Sequence, residues 1–134
     1  MKNKKMKISA LVIGVGLLAS QSVMAAWSSY GTFSVTDKPK TTTTTGVKIG
    51  AKKESNDSEF SVYASAKTMY TDPDVRLVNS NIEARSSYVE VYDTDVTITG
   101  NNNVGDIGYT YYAQVKPDAA QAGTDTIRLK INPK

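Results

Sequence analysis

The dominant period along this chain is two. Ile127, Leu129 and Ile131 fall on one side of a stretch whose other side is Thr126, Arg128 and Lys130. Such alternation describes a strand with one buried and one wet face. Phe60, Val62, Ala64 and Ala66 alternate in the same way with Ser61, Tyr63, Ser65 and Lys67, and Val47, Ile49 and Ala51 with Lys48 and Gly50. Ile107, Tyr109, Tyr111, Ala113 and Val115 share one face of a further segment, with Thr110, Tyr112, Gln114 and Lys116 on the other. Shorter strands are expected over residues 32–36, 75–78, 87–92 and 96–99.

Turn chemistry separates these runs. Ser55-Asn56-Asp57-Ser58 and Asp72-Pro73-Asp74 read as turns. Residues 100–106, GNNNVGD, read as a hairpin loop, because Asn and Gly tolerate positive φ. Lys116-Pro117-Asp118 starts a connection, and Ala119-Ala120-Gln121-Ala122 is a helix-favouring run of about one turn. The threonine run at 41–45 reads as an edge strand leading into Val47, in preference to a solvated linker. About eight short strands joined by short loops predict an all-β fold, a single antiparallel β-sandwich; a closed barrel is the rival.

The amino-terminal segment follows a different pattern. Lys2, Lys4, Lys5 and Lys7 precede an uncharged, mostly apolar run from Ile8 to Ala19. That run is shorter than the roughly 20 residues a spanning helix needs. A polar break, Ser20-Gln21-Ser22, leads to Val23-Met24-Ala25, with Val at −3 and Ala at −1. This is the secretory signal pattern. It predicts residues 1–25 as a signal peptide removed by signal peptidase and residues 26–134 as one all-β domain. Cleavage removes four of the 16 basic residues and none of the 13 acidic ones, so the formal charge changes from +3 to −1. The whole-chain charge therefore gives no reason to expect a nucleic-acid partner.

Cysteine and histidine are both absent. The first absence excludes a disulfide scaffold and a lipid-modified amino terminus. The second excludes Ser-His-Asp and Cys-His nucleophilic sites and His-based zinc sites. No cofactor is implied. Residues 26–134 hold no transmembrane run, so the expected product is secreted, either released or held at a surface without a covalent anchor.

Candidate chemistry lies in aromatic and acidic residues. Eight Tyr and one Trp offer flat apolar faces with polar edges, suited to a sugar ring or a protein partner. Tyr112 should face away from Tyr109 and Tyr111. With Tyr63 and Tyr88 it would form an exposed three-tyrosine platform; Trp27, a further candidate for the binding surface, is expected to dock on the sandwich in preference to serving as an exposed anchor. The competing reading is that Tyr simply favours strands. Asp72 with Asp74, Asp93 with Asp95, and Asp106 are candidate calcium ligands or acid/base groups, although turn-forming Asp is the favoured reading. Asn56-Asp57-Ser58 matches a glycosylation sequon but reads as a turn.

The signal peptide, the Phe33-Ser34-Val35 strand and the late run from Tyr109 to Leu129 together resemble small secreted Gram-positive proteins of unassigned activity. In that run a Tyr-rich strand precedes a short connection and a final Asp-x-Ile-x-Leu strand. The opening Ala26-Trp27-Ser28-Ser29-Tyr30-Gly31 resembles that of lactococcin-972-like bacteriocins. The likeness implies export and carries over no functional residue. The expected function is non-enzymatic binding of an envelope glycan or an extracellular protein; the alternatives are a bacteriocin-like or other secreted toxin and, disfavoured, a carboxylate-based hydrolase.

Overall fold

A computed structural model describes residues 26–36, 49–68, 72–101, 105–117 and 123–134. Among these residues eight strands form and no helix. They are β1 (Gly31–Thr36), β2 (Gly50–Lys52), β3 (Glu59–Lys67), β4 (Asp74–Val78), β5 (Val89–Glu90), β6 (Thr97–Asn101), β7 (Thr110–Lys116) and β8 (Thr124–Asn132). The first sheet has the order β1-β8-β3-β6 and the second β2-β7-β4-β5, with every pairing antiparallel. Neither sheet closes on itself, so the architecture is a sandwich.

The alternation in the sequence builds the core. From the first sheet, Phe33, Val35, Phe60, Val62, Ala64, Ile98, Ile127, Leu129 and Ile131 point inward. From the second-sheet side, Ile49, Ala51, Val75, Leu77, Tyr111, Ala113 and Val115 meet them. Each fully buried Val, Leu, Ile or Phe contributes about 1.5–3 kcal/mol relative to exposure. The inner strand β8 keeps the expected parity from Thr126 to Ile131, with Ile127, Leu129 and Ile131 fully buried and Arg128 exposed on the outer face, while Asp125 and Asn132 near its ends are buried as well.

Three sequence expectations change. Ile107 and Tyr109 do not share the buried face of Tyr111. They are 46% and 66% exposed and precede β7 in a turn. Gly108 there has φ of 87°, a left-handed conformation suited to glycine, and its N–H donates to the Lys53 carbonyl at 2.8 Å. In β3 the register against β8 shifts between Ala64 and Ala66. This bulge inserts one residue, Ser65, and reverses the parity beyond it. Ala66 becomes exposed, whereas Lys67 turns to bind Asp72 and the carbonyls of Val91 and Tyr92, each carbonyl at 3.0 Å.

The third change is topological. Only β4 and β5 are consecutive strands within one sheet; every other connection between successive strands crosses from one sheet to the other. β6 and β7 lie in different sheets, so the expected hairpin over 100–106 does not form between them; residues 102–104 of that loop lie outside the described residues. Asn and Gly supply turn conformations equally well for either connection. Of the strand expected over 87–92, only Val89–Glu90 pairs. The 1–25 segment, Val47 and Lys48, the threonine run and Ala119 to Ala122 lie outside the described residues.

Candidate functional site: an aromatic and cationic sheet face

The outer face of the first sheet gathers residues from three places. The β8 alternation sends Arg128 and Lys130 outward, two residues apart. The β3 alternation sends Tyr63 outward, directly opposite Lys130 in the register. The segment before β1 supplies Trp27 and Tyr30. It is laid along β8 by Ser28, whose N–H donates to the Ile131 carbonyl at 2.8 Å and whose Oγ accepts the Ile131 N–H at 3.0 Å.

The rings surround the cations. Trp27 and Tyr30 each meet Tyr63 edge-on, with centroids 6.5 Å apart. The Lys130 ammonium lies 4.7 Å from the Trp27 centroid and 5.2 Å from those of Tyr30 and Tyr63. The Arg128 guanidinium covers Tyr30 at 4.0 Å and donates to Ser65 Oγ at 2.9 Å, a contact set up by the bulge. Ring quadrupoles attract these charges and restrict their side chains. The Tyr63 hydroxyl donates to Asp95 Oδ1 at 3.0 Å, and this bond to a carboxylate is the main reason its pKa is raised. Among the described residues neither Arg128 nor Lys130 forms an ion pair, whereas Lys67, Arg85, Lys116 and Lys134 each do.

A second aromatic group occupies the outer face of the other sheet. Tyr88 lies between Arg76 and Lys116, at 4.5 and 4.3 Å from its ring centroid. Its hydroxyl donates to Gln114 Oε1 at 3.2 Å, which also accepts Arg76 Nε at 2.6 Å. Burial raises the Tyr88 pKa, opposed by the two cations. Lys116 is neutralised by Asp74 at 3.1 Å. This group is largely satisfied within itself.

The expected three-tyrosine platform is therefore not formed. Tyr63 lies on the first sheet, with Tyr88 and Tyr112 on the outer face of the second. Tyr112 pairs with Gly50 and Val78, and its ring lies over Gly50, where a Cβ would approach it to 2.9 Å. Because the chain crosses between sheets at almost every connection, β3 and β7 belong to opposite layers. Trp27 docks as expected, and it docks beside Tyr63.

The acidic candidates serve local structure. Asp72 and Asp74 pair with Lys67 and Lys116. Asp93 accepts the Thr94 N–H at 2.8 Å, and Asp57 of the sequon accepts the Glu59 N–H at 3.2 Å. Among the described residues no group of three or more His, Cys, Asp or Glu is arranged to hold a metal ion. Asp106 borders an open polar depression of about 380 Å³, together with Asn79, Asn81, Arg85 and Tyr109. Its main-chain N–H and carbonyl both bond the buried Tyr111 hydroxyl, at 2.6 and 3.1 Å.

Sequence reasoning missed Tyr30, Arg128, Lys130 and Asp95 as members of one site. The polar parity of β8 was the available signal for the two cations; Asp95 stood out only as half of the Asp93–Asp95 pair, and nothing local to Tyr30 marked it for this face. Compared with known proteins, the chain matches no family model, no curated protein and no solved structure.

Proposed function

We propose that the chain is a secreted, non-enzymatic binding protein that uses the outer face of its first sheet to hold a glycan or protein target at the bacterial envelope. The observation that carries this reading is the contiguous group of Trp27, Tyr30 and Tyr63 around Arg128 and Lys130 on an open sheet face. Rings that present an apolar surface with polar edges suit stacking against sugars or apolar side chains, and nearby cations supply directional donors. The export pattern in residues 1–25 supports the location.

Trp27 is the only tryptophan in the chain, so its fluorescence reports directly on this face. Titration with purified cell-wall fragments should change Trp27 emission and retain the protein in a pull-down. Tyr63→Ala should weaken retention, and Tyr112→Ala, on the other sheet, should leave it intact. An unchanged emission together with no retention would overturn the reading. So would retention lost in Tyr112→Ala and kept in Tyr63→Ala.

A further inference from the structure

We propose that the ligand of this face is an acidic glycan, a sugar chain carrying carboxylates, with Arg128 and Lys130 receiving its acid groups and the Trp27, Tyr30 and Tyr63 rings bordering its sugars. The inference deepens the binding function proposed above and rests on it.

Charge complementarity selects the ligand. Residues 26–134 carry one more acidic than basic residue, so a positive face is not a general property of this surface. Four lysines and arginines elsewhere have carboxylate partners within 3.1 Å. Arg128 and Lys130 have none among the described residues, although they lie on the central strand of their sheet. Asp95, the acid bonded into this face, is engaged by the Tyr63 hydroxyl. A cationic ligand would be repelled by the two charges already present, whereas an anionic one completes them.

Preorganisation points the same way. The guanidinium is held against Tyr30 and bound through one nitrogen to Ser65 Oγ, leaving further N–H groups in its planar fork for a carboxylate. The ammonium is held among three rings. Side chains restricted in this way lose less freedom when a ligand arrives. Residues two apart on an extended strand stand about 6.5–7 Å apart. The two cations therefore lie side by side along one strand, where a repeating chain with acid groups at intervals can meet both. Tyr30 is 37% exposed, so ring surface is accessible beside the cations.

The test uses the purified full chain, Trp27 emission, and three probes: polygalacturonate, neutral dextran and inorganic polyphosphate. Polygalacturonate should bind more tightly than either other probe, and its binding should weaken as salt rises. Arg128→Gln and Lys130→Gln should each weaken it by roughly tenfold, with Arg128→Lys intermediate. Lys52→Gln, on the second sheet, should leave it unchanged. Dextran binding as tight as polygalacturonate binding, with both glutamine variants unaffected, would overturn the acidic ligand and leave the binding face intact. Polyphosphate binding equal to that of polygalacturonate would overturn the glycan as the selected polymer. If neither glycan nor cell-wall fragments bind, both this inference and the function proposed above fall together.

Discussion

Lys53 tests how a buried charge closes one end of the sandwich. It continues the inward parity of Ile49 and Ala51 and is only 2% exposed. Its ammonium has three protons and finds three main-chain acceptors: the carbonyl of Asp57, that of Pro133 at 3.3 Å and the Lys134 oxygen at 3.0 Å. The same residue's N–H donates to the Tyr109 carbonyl at 3.0 Å. Lys53 therefore ties the start of the β2–β3 connection to the end of β8. Lys53→Met keeps the stem and removes the donors. A hydrogen bond to a charged group contributes about 1.5–3 kcal/mol, but water can reach two of the three acceptors and the buried charge disappears with the donors. The expected net loss is about 2–4 kcal/mol, which for a domain of roughly 100 residues lowers Tm on the order of 10 °C or more. Urea unfolding followed by Trp27 emission measures it, with the exposed neighbour Lys52→Met as control. Desolvation lowers the Lys53 pKa. Between that lowered value and the ordinary Lys value, about 10.4, the unfolded chain therefore binds more protons than the folded one. Native stability should gain on Lys53→Met as pH rises through that window. A Lys53→Met midpoint within about 0.5 kcal/mol of the native one, the range of ordinary surface changes, would refute the clasp.

Two further outcomes follow from close packing and from the tyrosines. Gly100→Ala would place a Cβ 2.3 Å from Val89 Cγ1 and 2.6 Å from Phe60 Cε1, so urea unfolding should show a loss of about 1–3 kcal/mol from overpacking; an unchanged midpoint would mean the sheets separate freely there. Tyr63, bonded to Asp95, the half-buried Tyr88 and the buried Tyr111 have raised pKa values, so tyrosinate absorbance should show a late-titrating group in the folded protein. Asp95→Asn should bring Tyr63 back towards its ordinary value. Above a pH of about 10 the folded chain keeps protons that the unfolded chain has lost, and the stability these groups contribute below that pH is lost as pH rises through their raised values. Identical titration curves for folded and urea-unfolded protein would contradict this.

The fold class was legible because one-sided burial writes itself into strands at period two. β8 shows this most directly, since its inward positions from Ile127 to Ile131 are apolar and its outward ones from Thr126 to Lys130 are polar. The misreadings have local causes. At Ser65 the bulge adds a residue, so an alternation that continues unbroken in the sequence changes face in space, and nothing in Ala64-Ser65-Ala66 announces it. At Gly108 a left-handed turn ends the segment that contains Ile107 and Tyr109 before β7 begins. Their apolar parity with Tyr111 therefore has no structural meaning.

The site was less legible for a reason that lies above the single strand. Period two states which residues share a face within one segment, and nothing about which segments share a sheet. Tyr63, Tyr88 and Tyr112 each had the outward parity required of a platform, yet crossing between layers placed β3 apart from β7 and β5. The same crossings brought Tyr63 opposite Lys130, which are distant in sequence and adjacent in the β3–β8 register. Trp27 and Tyr30 joined them through the two Ser28–Ile131 hydrogen bonds, which fix the path of a segment with no strand pattern of its own. The contributions of β8 could be read locally; their assembly with the rings depends on pairings between distant segments. A change that redirects the Ser28 segment should therefore remove Trp27 and Tyr30 from the face while leaving Tyr63 on β3 and Arg128 and Lys130 on β8 in place.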